Sequence, residues 1–146
     1  MFTATGPDTG TLSGVADGMM YSTNGIGWTD INSSADIDLT SLSACIIRVV
    51  KKGNGSTTTN SAIQEITVTK ADTPSGAAIA ETGYLLNDGS ITITGYDSNN
   101  TYQILQGGIW NDAAPDSGGK VTGLAPGSYA LRIKAKNTVL ASDSSD

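Results

Sequence analysis

The chain has 146 residues, eight Lys plus Arg, fourteen Asp plus Glu, no His and one Cys, for a net charge of −6. That acidic balance excludes a binder of the phosphate backbone, which needs clustered Lys and Arg, so no nucleic-acid partner is expected. The missing His and the lone Cys45 exclude a His-assisted nucleophile, a zinc cluster and an intrachain disulfide.

About a quarter of the chain is Ser or Thr and 18 residues are Gly, which disfavours helices and suits strands. No apolar run approaches the roughly 18 residues of a membrane-spanning helix, so no membrane insertion is expected. The opening MFTATGPDTG has neither a basic n-region nor an apolar h-region. It reads as strand from Phe2 onward. The chain therefore reads as cut from something larger, with any signal peptide outside it.

In chain order the pattern predicts strands at Phe2–Thr5, Gly10–Val15, Met19–Thr23, Trp28–Ile31, Asp36–Leu39, Cys45–Lys51 and Ala62–Lys70. Asp17-Gly18, Asn24-Gly25 and Asn54-Gly55 separate them, and such pairs supply the positive φ of tight hairpin turns. In the last of these strands Ala62, Gln64, Ile66 and Val68 face one way and Ile63, Glu65, Thr67 and Thr69 the other, the period of two of a strand with one solvated face. Lys70-Ala-Asp-Thr-Pro74-Ser-Gly76 then reads as a linker. Ala77–Ala80 is too short to stand as a helix. Further strands are predicted at Ser90–Thr94, Thr101–Gln106, Gly108–Asn111, Lys120–Thr122 and Tyr129–Lys136. After Val139-Leu140-Ala141 the chain turns to Ser and Asp, so the second half lacks a full closing strand. It is either truncated there or closed by its own early strand.

Two stretches match in order. Gly14, Tyr21, Trp28, Leu42 and Arg48 parallel Gly95, Tyr102, Trp110, Leu124 and Arg132. Such an internal repeat sets the architecture. It predicts two domains, 1–72 and 73–146. Tyr21, Tyr102 and Leu124, which recur, and Tyr129, which does not, are expected to be structural.

Leu124-Ala-Pro126-Gly127-Ser-Tyr129-Ala-Leu131-Arg-Ile133 resembles the end of a fibronectin type III or related Ig-like domain. There a Tyr hydroxyl ties back to upstream backbone, the tyrosine corner. Tyr21-Ser-Thr-Asn24-Gly25-Ile-Gly-Trp28-Thr-Asp30 is similar to the repeats of multidomain surface proteins of Gram-positive bacteria. The first half departs from the pattern, with Ser43-Ala44-Cys45 where the corner Tyr would stand. The resemblance implies an all-β chain of two tandem Ig-like (fibronectin III-like) β-sandwich domains joined by a short linker. It implies an extracellular, cell-surface or secreted location, with other domains of the same polypeptide as partners.

Several residues are candidates for ligand binding. Trp28 and Trp110 offer flat apolar faces that match the C–H face of a pyranose, although recurrence within a repeat equally suits packing. Tyr96, Asp97 and Asn99 lie in a polar loop, where binding residues concentrate. Asp97, Asn99 and Asn100 also raise calcium, and Asp36 and Asp38 share a strand face that a cation would bridge, but the EF-hand spacing is absent, and no metal or cofactor is expected. The two Glu, Glu65 and Glu81, have no neighbour that makes an acid/base pair, so no catalytic residue is assigned. The leading expectation is a non-catalytic structural or adhesive spacer of a bacterial surface protein. Its alternatives are a carbohydrate-binding module for cell-wall or host glycan, using the surface aromatics, and an accessory domain of a secreted hydrolase. A protein ligand is the remaining partner expected of an adhesive module.

Overall fold

The computed structural model describes residues 1–79 and 86–145. Ala80 and Glu81 lie outside the described residues. The strands, in chain order, are β1 (Phe2–Ala4), β2 (Gly10–Leu12), β3 (Met19–Ser22), β4 (Thr29–Ile31), β5 (Ile37–Leu39), β6 (Cys45–Lys51), β7 (Gln64–Lys70), β8 (Ser75–Ile79), β9 (Gly89–Thr94), β10 (Tyr102–Gln106), β11 (Ile109–Asp112), β12 (Lys120–Leu124), β13 (Ala130–Ile133) and β14 (Val139–Leu140). The chain is all-β, with no helix among the described residues. Among the described residues no helix is long and apolar enough to cross a membrane. Its contacts divide it into two compact units, Met1–Lys70 with Ala135–Ala141 and Ala71–Lys134 with Ser142–Asp146.

In the first unit one sheet has the order β1-β2-β5 and the other β14-β7-β6-β3-β4. The period of two decides which side chains meet between them. Phe2 and Ala4 are buried while Thr3 between them is exposed. In β6, Cys45, Ile47 and Val49 pack into the core, and Arg48 points the other way to Glu65. Phe2, Leu12 and Leu39 from one sheet thus meet Ile47, Val68 and Leu140 from the other in one cluster. Each such side chain contributes about 1.5–3 kcal/mol by leaving water.

The second unit repeats the order of strands. β12-β9-β8 forms one sheet and β11-β10-β13 the other. Ile91, Ile93 and Val121 meet Tyr102, Ile104 and Leu131. In both units the first, second and fifth strands make one sheet and the third, fourth and sixth the other. This is the layout of an Ig-like sandwich.

The units differ at the sixth strand's outer edge. β6 is flanked by the seven-residue β7. β13 is flanked by an irregular segment from the end of the chain. Ser142 N donates to the Ile133 carbonyl (3.0 Å) and Ser145 N to the Leu131 carbonyl (2.8 Å). In return Ile133 N and Leu131 N donate to the Oγ atoms of Ser142 and Ser145, at 2.9 and 2.8 Å. Two serine hydroxyls stand where strand carbonyls would.

Between β13 and Ser142 the chain makes a hairpin. Lys136 and Val139 exchange amide hydrogen bonds of 3.0 and 2.9 Å around Asn137, which has a φ of 54°. β14 then pairs parallel with β7, Val139 with Thr69 and Leu140 with Lys70. Ala4 N donates to the Asn137 carbonyl (2.7 Å) and Ala141 N to the Gly6 carbonyl (3.0 Å). Leu140 and Ala141 are almost wholly buried. The first unit is thereby closed by a strand from the far end of the sequence.

Three expectations need correction. Ser75 and Gly76 belong to β8 rather than to a linker, which shrinks to residues 71–74. Gly76 is a packing residue: a Cβ there would stand 2.8 Å from Ile91 Cγ2 and 3.1 Å from Leu131 Cδ1. The strand expected over Tyr129–Lys136 keeps regular pairing only over Ala130–Ile133, because the chain leaves that sheet for the hairpin. Asn24-Gly25 is not a tight two-residue turn, since β3 ends at Ser22 and β4 starts at Thr29.

Candidate functional site

The loop between β3 and β4 is built by its own side chains. Asn24 Oδ1 accepts from Ile26 N (2.9 Å) and Gly27 N (2.8 Å), and Ser22 Oγ accepts from Gly25 N (2.9 Å). Gly25 takes a φ of 75°, which suits glycine. Short polar side chains that satisfy nearby backbone amides fix such loops without a ladder. The loop carries Ile26 at 88% exposure and Trp28 at 36%.

Beside it lies a cleft of about 370 Å³, lined by this loop and by Asp38, Leu39, Thr40 and Leu42. β4 and β5 are the edge strands of their two sheets, and the cleft opens where those edges part. Leu39 and Leu42 are buried core residues. Tyr21 and Trp28, both aromatic, and Thr23, Thr29 and Thr40 are among its lining residues. Asp38 accepts from Thr11 Oγ1 at 2.9 Å.

Trp110 sits differently. It pairs with Leu105 inside a regular hairpin, β10–β11, turned by Gly107 and Gly108 with φ of 58° and 83°. Arg132 lies over its ring, 4.2 Å from the centroid. Arg132 Nε donates to Gln103 Oε1 (2.8 Å), and Gln103 Nε2 to Asp112 Oδ1 (2.8 Å). Lys134 Nζ closes the chain on Asp112 Oδ2 at 2.8 Å. Hydrogen bonds from Lys134 and Gln103 hold the Asp112 carboxyl below its usual range. One face of Trp110 is thus occupied.

The Tyr96 loop is largely engaged with itself. The Tyr96 ring packs against Tyr102, 5.5 Å between centroids, and joins the second unit's core. Asp97 Oδ1 accepts from Asn99 N and Nδ2, both at 2.9 Å. The Tyr102 hydroxyl accepts from Asp97 N at 3.1 Å. The structure therefore places Trp28 in the cleft, Trp110 under Arg132, and Tyr96, Asp97 and Asn99 in a separate loop of the second unit.

Among the tyrosines and Leu124, Tyr102 is 3% exposed in the core. Tyr21, Leu124 and Tyr129 pack on their units' cores. The Tyr129 hydroxyl donates to the Ala125 carbonyl at 2.7 Å, the geometry of a tyrosine corner. Burial raises the Cys45 thiol above its ordinary value. Sequence reasoning missed Ser22 and Asn24 as parts of the cleft. The pair Ser22-x-Asn24 ahead of Gly25 was the available signal, since Ser and Asn cap loop amides.

No family model matches the chain. No curated protein matches it. A solved structure of the human OSCAR ligand-binding domain is similar, with 16% sequence identity and a TM-score of 0.37, over 98% of this chain and 90% of that one. The Ig-like layout of each unit is read from its strand order.

Proposed function

We propose that this chain is a non-catalytic spacer of a larger extracellular surface protein of the bacterial kind, holding other domains of the same polypeptide away from their anchor. The observation that supports it most is the path of the chain. It leaves the first unit after Lys70, returns to it with Ala135–Ala141, and re-enters the second at Ser142. Drawn from its C-terminal end, such a chain loads the Ser142–Ser145 segment and β14 ahead of β13. Each core is itself a two-sheet sandwich of interdigitated apolar side chains, a form that tolerates many roles.

The test is force spectroscopy on the whole chain, held at Met1 and Asp146. A spacer resists and then yields in abrupt, cooperative steps. The first step is expected to release β14 and the Ser142–Ser145 segment. Smooth extension at low force would sink the reading.

A further inference from the structure

We propose that the Trp28 cleft of the first unit binds a neutral saccharide. Three observations converge there. The first is pre-organisation: Ser22 and Asn24 satisfy the amides of Gly25, Ile26 and Gly27, so the loop carrying Trp28 is ordered before any ligand arrives. The second is chemistry. The lining combines two aromatic residues, Tyr21 and Trp28, with Thr23, Thr29 and Thr40. A pyranose presents an apolar C–H face together with hydroxyls that donate and accept. It uses both halves of that lining, the ring for its face and the oxygens for its rim. The third is charge. No Lys or Arg is among the lining residues, Arg48 beside Gly25 of the loop is already paired with Glu65, and the chain carries −6, which favours a neutral ligand over phosphates and anionic sugars.

The volume of about 370 Å³ lies at the small end of ligand pockets, roughly 300–1,000 Å³. It suits one or two sugar rings. The mouth lies between two sheet edges, which lets a longer chain run out on either side. Trp110 provides the internal contrast: its ring is covered by Arg132, and it takes no part in the site.

The experiment is titration of the whole chain with chitohexaose, cellohexaose and maltohexaose, followed by tryptophan emission and calorimetry. At least one hexasaccharide is expected to bind saturably, with half-saturation near or below about 1 mM. Trp110→Phe is expected to bind as the parent does. Trp28→Ala is expected to weaken binding at least tenfold, and Trp28→Phe less. The melting temperature and Trp110 emission report whether each variant is folded, and Trp28→Phe keeps the test open if Trp28→Ala is not. Absence of saturation with all three sugars up to about 10 mM overturns the proposal. So does binding that both Trp28 variants leave unchanged, because the sugar would then sit elsewhere.

Discussion

Tyr21 in β3 and Tyr102 in β10 hold the same place in their sheets: Tyr21 pairs with Val49, next to Arg48, and Tyr102 with Ile133, next to Arg132. From that shared frame the two tryptophans diverge. On the fourth-strand side Tyr21 pairs with Thr29, so Trp28 falls in the loop beyond the strand's end. The two-glycine turn keeps Trp110 within its strand, opposite Leu105. On the other side Arg48 meets Glu65 of β7 at 2.8 Å. Arg132 is bordered by the irregular Ser142–Ser145 segment and reaches Trp110. A matching spacing of Tyr, Trp and Arg therefore does not carry a matching site. Loop length on one side and the neighbouring strand on the other decide which ring stays open.

The largest effect that could break this comparison comes from the hairpin tip. Leu140 is fully buried in the first unit, so Leu140→Ala is expected to cost about 2–5 kcal/mol. Hydrogen exchange should lose protection at the amides of Ala4 and Thr69, which bond to the hairpin. Equal loss throughout β9 to β13 would contradict the assignment of β14 to the first unit. A smaller effect sharpens the contrast between the tryptophans. Arg132→Met is expected to cost about 0.5–1 kcal/mol. Acrylamide should then quench Trp110 more readily, approaching Trp28. Quenching that does not change would mean that Arg132 does not shield the ring.

The smallest effect appears only in acid. Asp116 accepts from Lys120 N and Gly118 N, and these bonds hold its carboxyl below the usual range. A depressed carboxyl stabilises the fold above its unfolded pKa and loses that contribution as pH falls through the folded value. Melting of the second unit, read on Trp110 emission, should therefore decline below the ordinary carboxylate range. Asp116→Asn, which keeps an acceptor but does not titrate, should flatten that decline. An unaltered slope would show that Asp116 has no part in it.

Much of the strand layout was legible, because alternation and turn residues are local signals. Cys45–Lys51 is observed with the bounds that its apolar run suggested. The all-β class follows from a chain rich in Thr, Ser and Gly with no helical period. β8 was missed because Pro74, Ser75 and Gly76 look like punctuation, whereas Gly76 is required by the side chains stacked on it. β14 was missed because two residues carry no period, and its partner β7 is distant in sequence. For the cleft, the aromatic residue could be read but not the lining. Whether Trp28 or Trp110 is free depends on Arg132, Glu65 and the hairpin register, which are tertiary facts.

The strand from the chain's end has a consequence for synthesis. Domains generally fold from the N-terminus as they emerge, at about 5–20 residues per second. Here the first unit has all of β1 to β7 early, yet Ala71–Lys134 must be made before its last strand exists. For several seconds the edges of β1 and β7 stand open on a nascent chain, and an open edge is a template for wrong pairing. Of these two units the earlier is thus completed only after the later one has been made, and damage near residue 140 will surface as a folding defect at residue 4.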